Sequence, residues 1–137
     1  MTMFASVMER RRGVYAALVI IAIDLGLFVH RHPAELGRQV SDAVGDALWA
    51  AMIVWIISLI APTASRRFRF GVAYAICAVV ETSQALHGTT LDALRANRFA
   101  QLVLGSGFDP RDFVWYAIGV VIAVLIDRWI ITRPTSS

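Results

Sequence analysis

Residues 113–131 read FVWYAIGVVIAVLIDRWII, an apolar run in which Asp127 and Arg128 carry the only charges. As a helix rising ~1.5 Å per residue, it covers most of the ~30 Å hydrocarbon core of a bilayer. Three earlier runs have the same character: residues 14–30 (VYAALVIIAIDLGLFVH), 46–61 (DALWAAMIVWIISLIA) and 70–87 (FGVAYAICAVVETSQALH). Each of the four is about 16–19 residues long, close to the ~20 that a transmembrane helix needs. Their sum predicts an all-α integral membrane protein, a four-helix bundle forming one transmembrane domain over residues 1–137, with no soluble domain.

Composition leads to the same solvent. Of 137 residues, 58% are hydrophobic and 17% charged, with a mean hydropathy of +0.63, whereas soluble domains carry roughly 45–50% apolar and about 25% charged residues. A chain this short has too little interior to hide so much apolar side chain from water, so lipid must surround much of it. The basic balance, net +3 and all from arginine, does not form a stripe of the kind that tracks nucleic acid. Instead the arginines punctuate the apolar runs. Cys77 is the one cysteine, which rules out an intrachain disulfide and a cysteine metal cluster.

Those arginines predict topology. With both termini inside, Arg10, Arg11, Arg12, Arg66, Arg67, Arg69, Arg128 and Arg133 are cytoplasmic, against Arg31, Arg38, Arg95, Arg98 and Arg111 outside, the bias that the positive-inside rule requires. The expected location is a bacterial inner membrane. Arg10-Arg11-Arg12 before the first run resembles the start of a signal peptide, but LFVHRHP follows with no small-residue cleavage site, so a retained anchor is expected. Pro62 and Thr63 end the second helix and begin a tight turn.

Residues 89–110 are mixed in polarity. Thr89-x-x-Asp92 reads as a capping box opening a short helix over about residues 90–104 that Gly105 closes; too short to span, it is expected at the interface between the third and fourth spans. Asp109 then caps the fourth helix, with Pro110 and Asp112 in its first turn.

Charges inside hydrocarbon cost several kcal/mol, so the polar residues of the spans carry the functional reading. On the predicted topology Arg31, Asp46, Glu81, Gln84 and Asp112 gather at the outer end of the bundle, on the side of Arg95 and Arg98. Glu81 and Gln84 share a helix face at i and i+3, and Asp112, Tyr116, Gly119 and Ala123 form another stripe whose small residues permit close helix contact. Three readings stay open. The charges lock helix registry; or they form a pocket in which Arg31 and Arg98 hold a phosphate or carboxylate; or Glu81 or Asp46 accepts a proton in catalysis, although no nucleophile stands beside a base. Asp24 lies near the centre of the first span and is expected to meet a neighbouring helix or another protein contact. Asp127, beside Arg128, is close enough to the inner interface to snorkel. His30, His32 and His87 lack ligand spacing, so neither metal nor cofactor is expected, and the tryptophans Trp49, Trp55, Trp115 and Trp129 suit interface anchoring.

The motifs Gly45-Asp46-Ala47-Leu48-Trp49-Ala50, Glu81-Thr82-Ser83-Gln84, Arg98 and LVLGSGFDPRDFVWYAIG over residues 102–119 resemble the bacterial Domain of Unknown Function 2809 family. That resemblance implies a small four-helix membrane protein with no settled activity. A weaker similarity links Glu81, Gln84, Arg98, Asp112 and Gly119 to VanZ-like proteins, with Tyr116 where their pattern has Asn; it implies envelope or amphiphile biology by analogy. The leading expectation is a protein that binds a lipid headgroup or amphiphilic envelope compound through Arg31, Asp46, Glu81, Gln84, Arg98, Asp112 and Tyr116. A membrane enzyme acting on a lipid-linked substrate and a structural or assembly partner are the alternatives, with membrane lipids as partners and room for a homo-oligomer.

Overall fold

The computed structural model describes residues 2–86, 89–97, 100 and 107–132, and their side chains except at residues 2–4, 89, 91, 95, 131 and 132. Helices α1 (Thr2–Arg31), α2 (Pro33–Leu36), α3 (Arg38–Ile60), α4 (Arg66–Gln84), α5 (Thr89–Arg95) and α6 (Asp112–Thr132) follow in order, and no strand occurs among the described residues. The long helices outrun the apolar segments. Their first turns hold Arg, Gln, Ser and Asp, which helices accommodate where the chain leaves hydrocarbon for the polar interface. In consequence Asp46 does not open α3, as the apolar boundary suggested, but sits eight residues inside it, about 12 Å along the axis.

Helix α3 is the hub: α1, α4 and α6 all pack on it, and α4 also packs on α6. The turn between α1 and α3 holds Pro33 in the first turn of α2 and Gly37 at φ +83, a backbone region that costs an L side chain strain and glycine none. Across it, the Ser41 hydroxyl donates to the Val29 carbonyl at 2.9 Å, joining the end of α1 to the start of α3. After the turn at residues 61–65, the Ser65 hydroxyl caps α4 by accepting the Phe68 N–H at 3.2 Å. Asp109, expected at the cap of the last helix, stands three residues before α6, and its carboxylate accepts the Arg111 N–H at 2.9 Å in the turn that leads into it. The long helices therefore alternate in direction. One end of the protein, here the proximal end, holds the start of α1 and α4 and the finish of α3 and α6; the distal end holds the opposite termini.

The packing is inverted relative to a water-soluble domain. Many buried positions are small or polar, among them Ala43, Ala50, Ala51, Ser58, Ala73, Cys77, Glu81 and Ala123, packed around the larger Tyr15, Val54, Trp55 and Tyr116. Large apolar side chains face out, among them Ile60 at 72% exposed and Val79 at 69%. Water would penalise that surface at roughly 25 cal/mol per Å²; hydrocarbon does not, and there small residues let helix backbones meet. Gly119 shows how closely. A Cβ placed on it would stand 2.8 Å from the carbonyl carbon of Ala47 and 2.9 Å from its Cα, so α3 and α6 touch backbone to backbone.

Among the described residues, three helices are long and apolar enough to cross a membrane, over Ala5–Arg31, Arg38–Ile60 and Asp112–Ile130. The expected third span, residues 70–87, is represented by α4, which is not one of the three. Arg66, Arg67, Arg69 and Glu81 interrupt its apolar character. Of the connecting helix expected over about residues 90–104, α5 covers the part to Arg95, and Ala96 and Asn97 turn out of it; residues 98, 99 and 101–104 lie outside the described residues. The Asn97 N–H reaches back to the Leu94 carbonyl at 3.2 Å, the tightening to i−3 typical of a helix end. Trp55, expected at an interface, is only 5% exposed and belongs to the core around Tyr15, Val54 and Ala123.

Candidate functional site

Two polar clusters occupy opposite ends of the helix assembly, and the sequence pointed to only one of them. At the distal end, Glu81 comes from the last turn of α4 and is fully buried. Its Oε1 accepts the Asp109 N–H at 2.8 Å and its Oε2 the Tyr116 hydroxyl at 2.9 Å. Gln84, one turn further, accepts the Gly107 N–H at 3.2 Å. The i, i+3 face predicted for Glu81 and Gln84 thus fastens the segment leading into α6. Burying a carboxylate is costly unless its oxygens are bonded, and here both are.

Asp46 of α3 and Asp112 of α6 complete this cluster. Their carboxyl groups lie within hydrogen-bonding reach of each other, with Glu81 and Asp42 near enough to act on both electrostatically. The close backbone contact at Gly119 sets that distance, because Asp112 lies seven residues before it on α6 and Asp46 immediately precedes Ala47 on α3. Both aspartates are partly accessible, unlike Glu81. Tyr116 is 3% exposed and packs with Ala50 and Cys77. Of the other predicted site residues, Arg31 is exposed at the end of α1, while Arg98, like His87, lies outside the described residues. The structure therefore unites Asp46, Glu81, Gln84, Asp112 and Tyr116. Asp24, expected to meet a neighbouring helix or protein, is on the exposed face of α1.

The proximal cluster is where the snorkelling expectation for Asp127 is corrected. Asp127 is fully buried and Arg69 is 3% exposed. Arg69 Nη1 donates to Asp127 Oδ1 at 3.2 Å and Nη2 to Oδ2 at 3.4 Å, the two-pronged geometry that suits guanidinium and carboxylate. Nη1 also donates to the Ser58 hydroxyl at 2.6 Å and the Tyr15 hydroxyl at 3.4 Å. Tyr15 in turn donates to Asp127, and Arg66 Nε lies 3.3 Å from Asp127 Oδ2. All four long helices contribute to this network. Asp127 faces inward because a carboxylate turned to lipid would lack any of these donors.

A signal for this pairing existed in the sequence. Arg66 and Arg69 are three residues apart, hence on one helix face, and the predicted topology already put them at the same end as Asp127.

Among known families, one described as a protein of unknown function (DUF2809) matches residues 37–120, more than half of the chain. The matched region contains Asp46, Glu81, Gln84, Asp112 and Tyr116. No solved structure matches.

Proposed function

The chain belongs to the DUF2809 family of proteins of unknown function, and on that premise we propose that it is a multi-pass bacterial inner-membrane protein that binds the polar head of a lipid or amphiphilic envelope compound at its distal end. The observation that carries this reading is the meeting of three carboxyl side chains, Asp46, Glu81 and Asp112, from three helices whose outer surfaces are apolar. Glu81 is committed to Asp109 and Tyr116 and serves as the frame. Asp46 and Asp112 remain partly accessible, and their oxygens suit the hydroxyl or ammonium donors of a headgroup, while the surrounding apolar surface suits its acyl portion.

In this proposal α4 is the third of four spans and α5 lies at the interface. Arg69 and Glu81, both buried, are twelve residues apart, about 18 Å along the helix; each meets its partners inside the protein, so neither has to face lipid. Both termini and the turn at residues 61–65 are cytoplasmic, in keeping with the arginine bias. Reporter fusions after residues 62 and 110 test this topology, the first expected inside and the second outside.

The binding test is native mass spectrometry of protein released from detergent, comparing the wild type with Asp46→Asn and Asp112→Asn. Loss of a co-purifying amphiphile from both folded variants is the expected result; an unchanged ligand complement in both refutes the reading. A second reading has its own support. Because Glu81 and Gln84 hold backbone N–H groups of Asp109 and Gly107, the distal cluster also serves as a registry lock, and under that reading alone the two aspartate variants retain whatever binds.

A further inference from the structure

At the proximal end, a cavity of about 470 Å³ is bounded by residues including Met8, Arg11, Thr63, Arg66 and Arg69. Its size falls within the ~300–1,000 Å³ range of small-ligand pockets. Three arginines, Arg11 of α1 and Arg66 and Arg69 of α4, line it. Arg66 and Arg69 share the carboxylate of Asp127, and among the described residues Arg11 makes no ion pair, so the lining carries more positive charge than Asp127 offsets. The second, independent observation concerns Arg69. It is 3% exposed, yet its Nε has no hydrogen-bond partner among the described residues, although leaving a buried charged donor unpaired carries its full desolvation penalty. Four of its bonds, through Nη1 and Nη2, are spent on Asp127, Ser58 and Tyr15; the orphan N–H belongs to a side chain that lines the cavity.

We propose that this cavity binds a phosphate oxyanion, held by Arg11, Arg66 and Arg69, of the kind carried by an anionic lipid headgroup. Phosphate supplies several acceptor oxygens around one centre, which matches guanidinium donors converging from different helices. The site's depth agrees with a lipid source. Arg11 stands just before the apolar stretch of α1, and Arg66 lies between Ile60 and Phe70, so both flank apolar helix segments, where a bilayer would present its phosphates. The exposed Ile60 and Phe68 flank the same region for acyl chains to cover. The first turn of α4 contributes Arg66 to the lining, and its positive dipole end adds to the field.

This site is separate from the distal cluster, and its test is separate too. Full-length protein in a neutral detergent is titrated with short-chain phosphatidic acid, with inorganic phosphate, and with short-chain phosphatidylcholine, and binding is read by native mass spectrometry. The variants are Arg11→Gln and Arg66→Gln, which leave the buried Arg69–Asp127 contact in place, with Arg38→Gln, an exposed arginine at the start of α3, as the control. Phosphatidic acid is expected to bind in preference to phosphatidylcholine, with affinity falling about tenfold or more in the Arg11 and Arg66 variants and unchanged in Arg38→Gln. Equal occupancy by inorganic phosphate also supports the pocket and assigns it to the free ion. Binding of neither phosphate probe, or binding indifferent to both arginine variants in folded protein, overturns the proposal.

Discussion

Removing the Asp127 carboxylate is expected to be the most damaging single truncation in this protein. Asp127→Ala takes from Arg69 both of its charge-paired contacts, takes from Tyr15 its acceptor and takes from Arg66 its ion pair, leaving a guanidinium 3% exposed without a counter-charge from Asp127. Breaking a buried pair from one side costs about 3–5 kcal/mol, because the remaining charge cannot recover its hydration. The neighbouring truncations should cost less. Tyr15→Phe and Ser58→Ala each remove hydrogen bonds from a network that keeps its charge balance, and single interhelical bonds in membrane proteins contribute about 0.6–2 kcal/mol. Arg66, whose side chain is 40% exposed, should contribute no more than about 1 kcal/mol. The assay is reversible unfolding in mixed micelles of mild detergent and dodecyl sulfate, followed by tryptophan fluorescence. A paired change, Arg69→Met with Asp127→Leu, should recover most of the loss, since apolar replacement of both partners removes the desolvation penalty together with the attraction. The reasoning is refuted if Asp127→Ala costs under about 1 kcal/mol, or if the paired change is no more stable than Asp127→Ala alone.

Substituting Gly119 with Leu should force α3 and α6 apart, since the obstacle is the Ala47 backbone and not a movable side chain. Overpacking of this kind costs about 1–3 kcal/mol; an unaltered melting temperature in detergent would contradict the close contact. Glu81→Ala should release the Asp109 amide and the Tyr116 hydroxyl, so hydrogen exchange over residues 107–112 should accelerate more than in Tyr116→Phe, which leaves the Asp109 bond in place. Equal protection in both variants would mean that Glu81 does not hold the segment. Cys77, fully buried beside Ala50 and Tyr116, should resist N-ethylmaleimide in folded protein and react once dodecyl sulfate separates the helices; labelling at equal rates would place it outside the core.

The distal cluster was legible because its residues are anomalies in their own segments. Glu81 and Gln84 interrupt an apolar run at helical spacing, Asp109-Pro110 marks a helix start, and Gly119 follows Tyr116 by three residues on one face. Each points to a helix and a face without reference to any other part of the chain. Asp127 gave no such pointer. Placed next to Arg128 near a helix end, it has the local look of a snorkelling charge, and its partners Arg69, Arg66 and Tyr15 lie 58, 61 and 112 residues away.

What the sequence determined alone is the medium and the helices, because hydropathy and capping are local and additive along the chain. Lipid-facing character, the α3–turn–α4 connection and the Asp109-Pro110 turn that leads into α6 all follow from such terms. Only the tertiary structure decided the rotation of each helix about its axis. An apolar helix such as α6 carries little asymmetry in a uniformly apolar solvent, so nothing local says which side turns inward. That choice is made by the few long-range contacts, Asp127 to Arg69, Glu81 to Tyr116 and Gly119 to Ala47, that exist only once the helices are assembled.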